Sequence, residues 1–139
     1  MTITVTESAE AADRQAILAG LAAFNRPLYG ESGTRPLAVV LRDRDNTVIG
    51  GALGRTHWGW LYIEAFWVAE AHRGQGWGTR LLAEAEKEAH RRGCRHAYLD
   101  TFSDSARRLY ERCGYTLFTV QTDFPPGQSR YFLRKDLAD

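Results

Sequence analysis

The chain has 139 residues, of which 44% are hydrophobic and 25% are charged, and its 18 basic and 17 acidic side chains leave a formal net charge of +1. This length and composition predict one globular domain, residues 1–139, and exclude a disordered or fibrous protein. A charge so close to zero provides no bulk attraction to nucleic acid or to an anionic membrane surface, so we expect neither as a partner.

The first part of the chain predicts a strand, a helix and a hairpin. Thr2 to Thr6 alternates apolar and polar residues as a strand does, and Ala9 to Asn25 repeats apolar residues at helical spacing. Pro36 to Arg42 and Thr47 to Thr56 then predict two strands. Asp and Asn residues separate them and favour a tight turn, so we expect these two strands to pair.

The second part predicts a buried strand followed by alternating helices and strands. Leu61 to Val68 is apolar and aromatic except for Glu64, which predicts a central strand, and Trp77 to Arg92 has the apolar stripe of a helix. The remaining predicted elements are a strand at Arg95–Phe102, a short helix carrying Ala106 to Cys113, and strands at Tyr115–Thr122 and Ser129–Lys135. The resulting order, βαβββαβαββ, predicts a mixed α/β domain of the α+β type.

A glycine-rich segment connects the central strand to the second helix. It reads His72-Arg73-Gly74-Gln75-Gly76-Trp77-Gly78-Thr79. Glycines let backbone amides converge on a ligand, and the unpaired amides at a helix start suit phosphate oxygens. The segment lacks the Gly-Lys-Ser/Thr of a P-loop, and its third glycine comes one place early for a dinucleotide fingerprint. A phosphate cradle and a plain structural turn both stay open.

Two motifs resemble those of one enzyme family. Arg73 to Gly78 resembles the Arg/Gln-x-x-Gly-x-Gly/Ala signature of the GCN5-related N-acetyltransferases (GNAT), and Ala106 to Tyr115 is similar to a second motif of that family. Leu61 to Val68 looks like the family's fourth strand. The resemblance implies a single-domain acyl-CoA N-acyltransferase fold, in which a mostly antiparallel central sheet contains a splayed strand pair.

The resemblance also implies a reaction, the transfer of an acetyl group from acetyl-CoA to an amine. Tyr110 occupies the position whose hydroxyl protonates the departing sulfur, and a phenol stays protonated at neutral pH. Glu64 is the candidate general base, since a carboxylate beside a buried strand centre often reaches useful base strength. The residues that would bind acetyl-CoA are Phe66, Trp67, Val68, Arg73, Gly74, Gln75, Gly76, Trp77, Gly78 and Thr79.

The acceptor is less well defined by the sequence. We expect a small-molecule amine as the acceptor, with a protein amine as an open alternative. Whether the chain forms a homodimer is also open. The residues that could line the acceptor pocket are Tyr29, His57, Trp58 and Trp60, although core packing explains the aromatic residues equally well. His57 is also an alternative base. Two rival classes are a non-catalytic acyl-CoA-binding or sensing module and a Rossmann-like nucleotide-binding protein.

Neither a metal site nor export is expected. The histidines and the two cysteines, Cys94 and Cys113, have no metal-ligand spacing. The apolar runs are far shorter than the roughly 20 residues of a membrane span, and the N-terminus lacks the pattern of a secretory signal. We therefore expect a cytoplasmic protein with reduced thiols.

Overall fold

The protein is described by a computed structural model over residues 1–137, whose backbone contacts separate two units, Met1–Ser32 and the described residues from Gly33 onward. The predicted fold class is confirmed as a mixed α/β arrangement of three α-helices and one mostly antiparallel sheet within the described residues. The elements are α1 (Ala11–Tyr29), β1 (Arg35–Arg42), β2 (Val48–His57), β3 (Trp60–Val68), α2 (Trp77–Arg91), β4 (His96–Thr101), α3 (Asp104–Arg112), β5 (Thr116–Thr122) and β6 (Ser129–Asp136).

The first unit contains α1 and differs from expectation at both ends. The strand predicted at Thr2 to Thr6 is not formed, because this segment has no partner strand among residues 1–137 to satisfy its backbone groups. The helix continues past the predicted end at Asn25, since Pro27 costs it one hydrogen bond without ending it. It ends at Gly30, which has a positive φ of 77° and whose amide donates to the Arg26 carbonyl at 2.9 Å. No described helix is long and apolar enough to cross a membrane.

The second unit is built on a sheet with the strand order β1-β2-β3-β4-β6-β5. Neighbouring strands are antiparallel except for β3 and β4, which run parallel. Alternate side chains of the strands pack against α2, and the large side chains that are completely enclosed are Leu61, Leu82, Leu99 and Leu133. α2 lies against β1, β2 and β3, and the same core also includes Leu99 of β4 and Leu133 of β6.

The parallel pair β3 and β4 is joined over only part of its length. Pairing runs from Trp60 with His96 to Ile63 with Leu99, and no pair follows. Beyond this point β4 continues to pair with β6, and β3 continues to pair with β2. The two strands therefore part at Ile63 and Leu99 and leave a wedge between them, which confirms the expected splayed pair.

A β-bulge in β3 lies directly at the start of this wedge. Leu53 of β2 pairs with Ala65 and Gly54 pairs with Ile63, so Glu64 is the extra residue without a partner. The bulge shifts the side-chain alternation of β3 by one residue. Ile63 points into the core before the bulge and Phe66 packs against the same core after it. Odd-numbered residues thus give way to even-numbered ones on the helix side of the strand.

Candidate active site

A cavity of about 1010 Å³ lies along the wedge between β3 and β4. Its walls come from the second half of β3, the glycine-rich loop, the start of α2, the end of β4 and α3. Tyr110 and Glu64 both line it. The predicted cofactor residues in its walls are Phe66, Trp67, Val68, Arg73, Gly74, Gly76, Trp77, Gly78 and Thr79. Gln75 is the one predicted cofactor residue outside these walls, and its side chain accepts a hydrogen bond from the Trp77 indole at 3.3 Å.

The glycine-rich loop presents a run of free backbone amides to this cavity. The Arg73 amide donates to Glu70 and the Arg80 amide to Gly76, but those of residues 74–79 donate to no group within residues 1–137. Gly74 and Gly76 have positive φ angles of 75° and 85°, and the space where a Cβ would stand is open. The positive end of the α2 dipole lies at the same place. Such a loop fits a diphosphate, because amides and dipole both favour phosphate oxygens.

Two contacts fix the loop against its neighbours. The Arg73 Nε donates to the Val68 carbonyl at 2.8 Å, which ties the loop to the end of β3. Gly78 lies so close to α3 that a Cβ would stand 3.0 Å from the Leu109 Cδ2 atom. The missing side chain at Gly78 therefore lets α2 begin directly beside the wedge.

Tyr110 is buried, and α3 aims it at the cavity. Its ring meets Phe66 edge to face, with centroids 5.8 Å apart. Its hydroxyl has no hydrogen-bond partner within residues 1–137, and every fully enclosed polar side-chain atom there has one, so this hydroxyl is open to the cavity. Burial, followed by the charge of Asp100, raises the pKa of Tyr110 to about 12. The phenol is therefore a protonated donor across the physiological range.

Glu64 lines the cavity but is not enclosed as the sequence argument assumed. Its side chain is 52% exposed, and its Oε2 lies 3.6 Å from the Arg55 Nη1. The cause is the bulge, which takes Glu64 out of the regular alternation of β3. Glu64 is accordingly an accessible carboxylate at the start of the wedge rather than one beside a buried strand centre.

The candidate acceptor residues do not all gather at the wedge. His57 and Trp60 pair with each other at the turn between β2 and β3, and Trp58 lies in that turn. This turn is at the opposite end of β3 from Val68, about 26 Å along the strand, and none of the three lines the cavity. Burial and the charge of Arg55 lower the pKa of His57. Tyr29 ends α1 in the first unit.

Sequence reasoning missed the wall formed by the end of β4. Asp100, Thr101 and Phe102 line the cavity opposite β3. Ligands commonly bind at the carboxyl ends of parallel strands, so the residues after Leu99 were the available signal. To use that signal, one must know that β3 and β4 run parallel, and hydrophobic periodicity does not reveal this. Within residues 1–137, no three His, Cys, Asp or Glu side chains come together as metal ligands.

The chain matches known proteins both in sequence and in structure. Residues 9–115 match the profile described as the Acetyltransferase (GNAT) family. Acetyltransferase Atu2258 of Agrobacterium fabrum is 43% identical over 135 residues, which cover 97% of this chain and 98% of that protein. The crystal structure of an acetyltransferase from Bacillus cereus superposes with a TM-score of 0.84 at 28% identity, covering 96% of this chain and 98% of that one. Blasticidin-S acetyltransferase of Streptomyces morookaense is 38% identical over 89 residues, 63% of this chain and 65% of that protein.

Proposed function

The chain belongs to the GNAT family and is an acetyl-CoA-dependent acetyltransferase, and we propose that it transfers the acetyl group directly to a primary amine of a small molecule. The relative named for blasticidin S supports a small-molecule acceptor. The free thiols of Cys94 and Cys113 favour a cytoplasmic location, where thiols stay reduced.

The described residues fit acetyl-CoA as the donor substrate. The amides of residues 74–79 are available for its diphosphate. Beyond Ile63, one edge of β3 has lost β4 as a partner, so backbone groups on that edge between Phe66 and Val68 are available for the pantetheine arm, except for the Val68 carbonyl, which accepts from the Arg73 Nε. Both sets of groups border one cavity, and this cavity also holds Tyr110.

The proposed reaction assigns one proton transfer to each of two side chains. The amine nitrogen attacks the thioester carbonyl carbon, and the carbon–sulfur bond breaks as the tetrahedral intermediate collapses. Glu64 accepts the proton that the amine loses, directly or through water. Tyr110 donates a proton to the departing sulfur, for which its raised pKa keeps the phenol ready. Backbone amides of β3 near Phe66 to Val68 are the candidates for stabilising the oxyanion.

One observation carries this proposal: the unpaired amides of the loop and the free hydroxyl of Tyr110 open into the same cavity where β3 and β4 part. The test is release of free CoA thiol from acetyl-CoA in the presence of a panel of small amines, with the acetylated product identified by mass spectrometry. We expect thiol release that depends on the amine. Thiol release that ignores every amine would mean hydrolysis and would contradict the proposal.

A further inference from the structure

Asp100 connects three strands at the point where β3 and β4 part. Its Oδ1 accepts a hydrogen bond from the Tyr62 hydroxyl of β3 at 2.7 Å, and its Oδ2 accepts one from the Arg130 Nε of β6 at 2.7 Å. Asp100 itself is the first residue of β4 beyond the last pair with β3. Its side chain is 16% exposed and lines the cavity.

Both partners of Asp100 are held by aromatic contacts of their own. The Tyr62 ring stacks on Tyr98 with centroids 4.7 Å apart, and the Arg55 guanidinium covers it at 4.9 Å. The Arg130 guanidinium lies 4.7 Å from the Phe132 ring centre and 4.8 Å from that of Phe124. Hydrogen bonds to an ionised carboxylate are shorter and stronger than those between neutral groups, and here both donors are also held by ring contacts. The connection is therefore stiff.

This connection lies at the closed end of the wedge between β3 and β4. No backbone pair joins β3 to β4 beyond Ile63 and Leu99, and the Tyr62–Asp100 hydrogen bond ties the paired part of β3 to the first residue of β4 at the closed end of the gap. Asp100 and Tyr110 line the same cavity, and the charge of the Asp100 carboxylate contributes to the raised pKa of the Tyr110 phenol. A thioester whose sulfur meets Tyr110 would thus have its acyl group beside Asp100.

We propose that Asp100 is a positioning and specificity-determining residue: held by Tyr62 and Arg130, it sets the width of the wedge and limits the acyl group to a short one. This inference rests on the proposed function, since it takes the thioester to lie against Tyr110. Removing the carboxylate would both widen the gap and leave space for a longer chain.

The chain contains a matched control for this connection. Glu86 of α2 accepts hydrogen bonds from the Tyr115 hydroxyl at 3.0 Å and from the Lys135 Nζ at 2.7 Å, and its side chain is 13% exposed. It repeats the chemistry of Asp100, namely a carboxylate, a phenol and a cation at similar burial, but it does not line the cavity. Glu86→Gln therefore measures what such a network contributes to folding alone.

The test compares binding of acetyl-CoA and butyryl-CoA by calorimetry, a readout that needs no turnover. We expect the unmodified protein to bind acetyl-CoA at least about 10-fold more tightly than butyryl-CoA. Asp100→Ala should narrow this ratio to about threefold or less, and Glu86→Gln should keep it. Tyr62→Phe, which removes one contact and keeps the carboxylate, should give an intermediate ratio and serves if Asp100→Ala does not fold.

Turnover supplies the second measurement. Asp100→Ala should lower kcat by about 10- to 100-fold, because a displaced thioester reacts poorly, with little change in the KM for acetyl-CoA, since the glycine-rich loop is intact. Equal acyl ratios in the unmodified protein, Asp100→Ala and Glu86→Gln would overturn the proposal. A preserved acetyl preference without amine-dependent product would instead refute the proposed function, and the binding ratios would still decide the role of Asp100.

Discussion

Glu64 and Asp100 are the first residues of β3 and β4 beyond the last pair of these two strands. Both carboxylates line the cavity, yet their surroundings differ. Glu64 is 52% exposed with Arg55 at 3.6 Å, whereas Asp100 is 16% exposed and bonded to Tyr62 and Arg130. The accessible carboxylate is suited to accept a proton from an arriving amine, and the enclosed one is suited to hold strands in place.

Glu64→Gln should lower kcat by about 10²-fold or more, because an amide cannot accept the proton that a general base removes. The KM for acetyl-CoA should change little, since Glu64 lies outside the glycine-rich loop. Steady-state kinetics with a saturating amine measure both constants. Glu84→Gln removes the same charge from the exposed face of α2 and should behave like the unmodified protein. Equal kcat values for the two variants would exclude Glu64 as the base.

Tyr110→Phe should lower kcat by about 10²- to 10⁴-fold, because the departing sulfur loses its proton donor. Stability should be nearly unchanged, since the hydroxyl has no hydrogen-bond partner within residues 1–137. Tyr115→Phe is the matched control on the same core. The Tyr115→Phe variant loses the hydrogen bond to Glu86. This loss should lower the free energy of unfolding by about 1–3 kcal/mol and leave kcat unchanged. A Tyr110→Phe variant with full turnover would point to water as the proton donor.

The elements that the sequence predicts well are those set by local physics. The turn between β1 and β2 follows from Asp43, whose carboxylate accepts hydrogen bonds from the amides of Asp45 and Thr47 at 2.9 and 3.0 Å. Trp77 starts α2 as expected, because Gly74 and Gly76 before it have positive φ angles that lie outside the α-helical region. In the structure, Tyr110 and most of the glycine-rich loop line one cavity, and their role in catalysis and binding stays a prediction.

The features that the sequence does not predict depend on pairing between distant strands. The bulge at Glu64 appears only once Leu53 and Gly54 are placed against β3, and it changes the exposure of Glu64. The role of Asp100 requires the parallel register of β3 and β4. Periodicity describes each strand alone, so it cannot supply either relation.

Alkaline pH should destabilise the fold through Tyr110. Its pKa is raised from about 10 to about 12 by burial and by the charge of Asp100. The unfolded chain therefore ionises first, and it binds fewer protons than the folded protein between pH 10 and 12. The stabilising contribution is complete below about pH 10 and is lost as the pH rises toward 12.

The difference between the unmodified protein and Tyr110→Phe isolates this contribution. Over that pH window, denaturant unfolding should show the unmodified protein losing up to about 2–3 kcal/mol more than the variant. The pKa values of Tyr62 and Tyr115 are also raised, but both residues are present in both proteins, so their contributions cancel in the comparison. Parallel stability curves from pH 9 to 12 would mean that the Tyr110 phenol is not shielded from water.

Gly76→Val should abolish tight binding of acetyl-CoA. Gly76 precedes α2 with a φ of 85°, and the space beside it is open to the cavity. A branched side chain would stand where the diphosphate meets the amides, so calorimetry should show at least about a 10-fold loss of affinity. Gly127→Val provides the control, because Gly127 has a similar φ of 77° and open surroundings in the turn between β5 and β6, away from the cavity. Both variants should lose about 1–2 kcal/mol to backbone strain, and only the first should lose the ligand. Equal affinity in the two variants would mean that the loop does not hold the diphosphate.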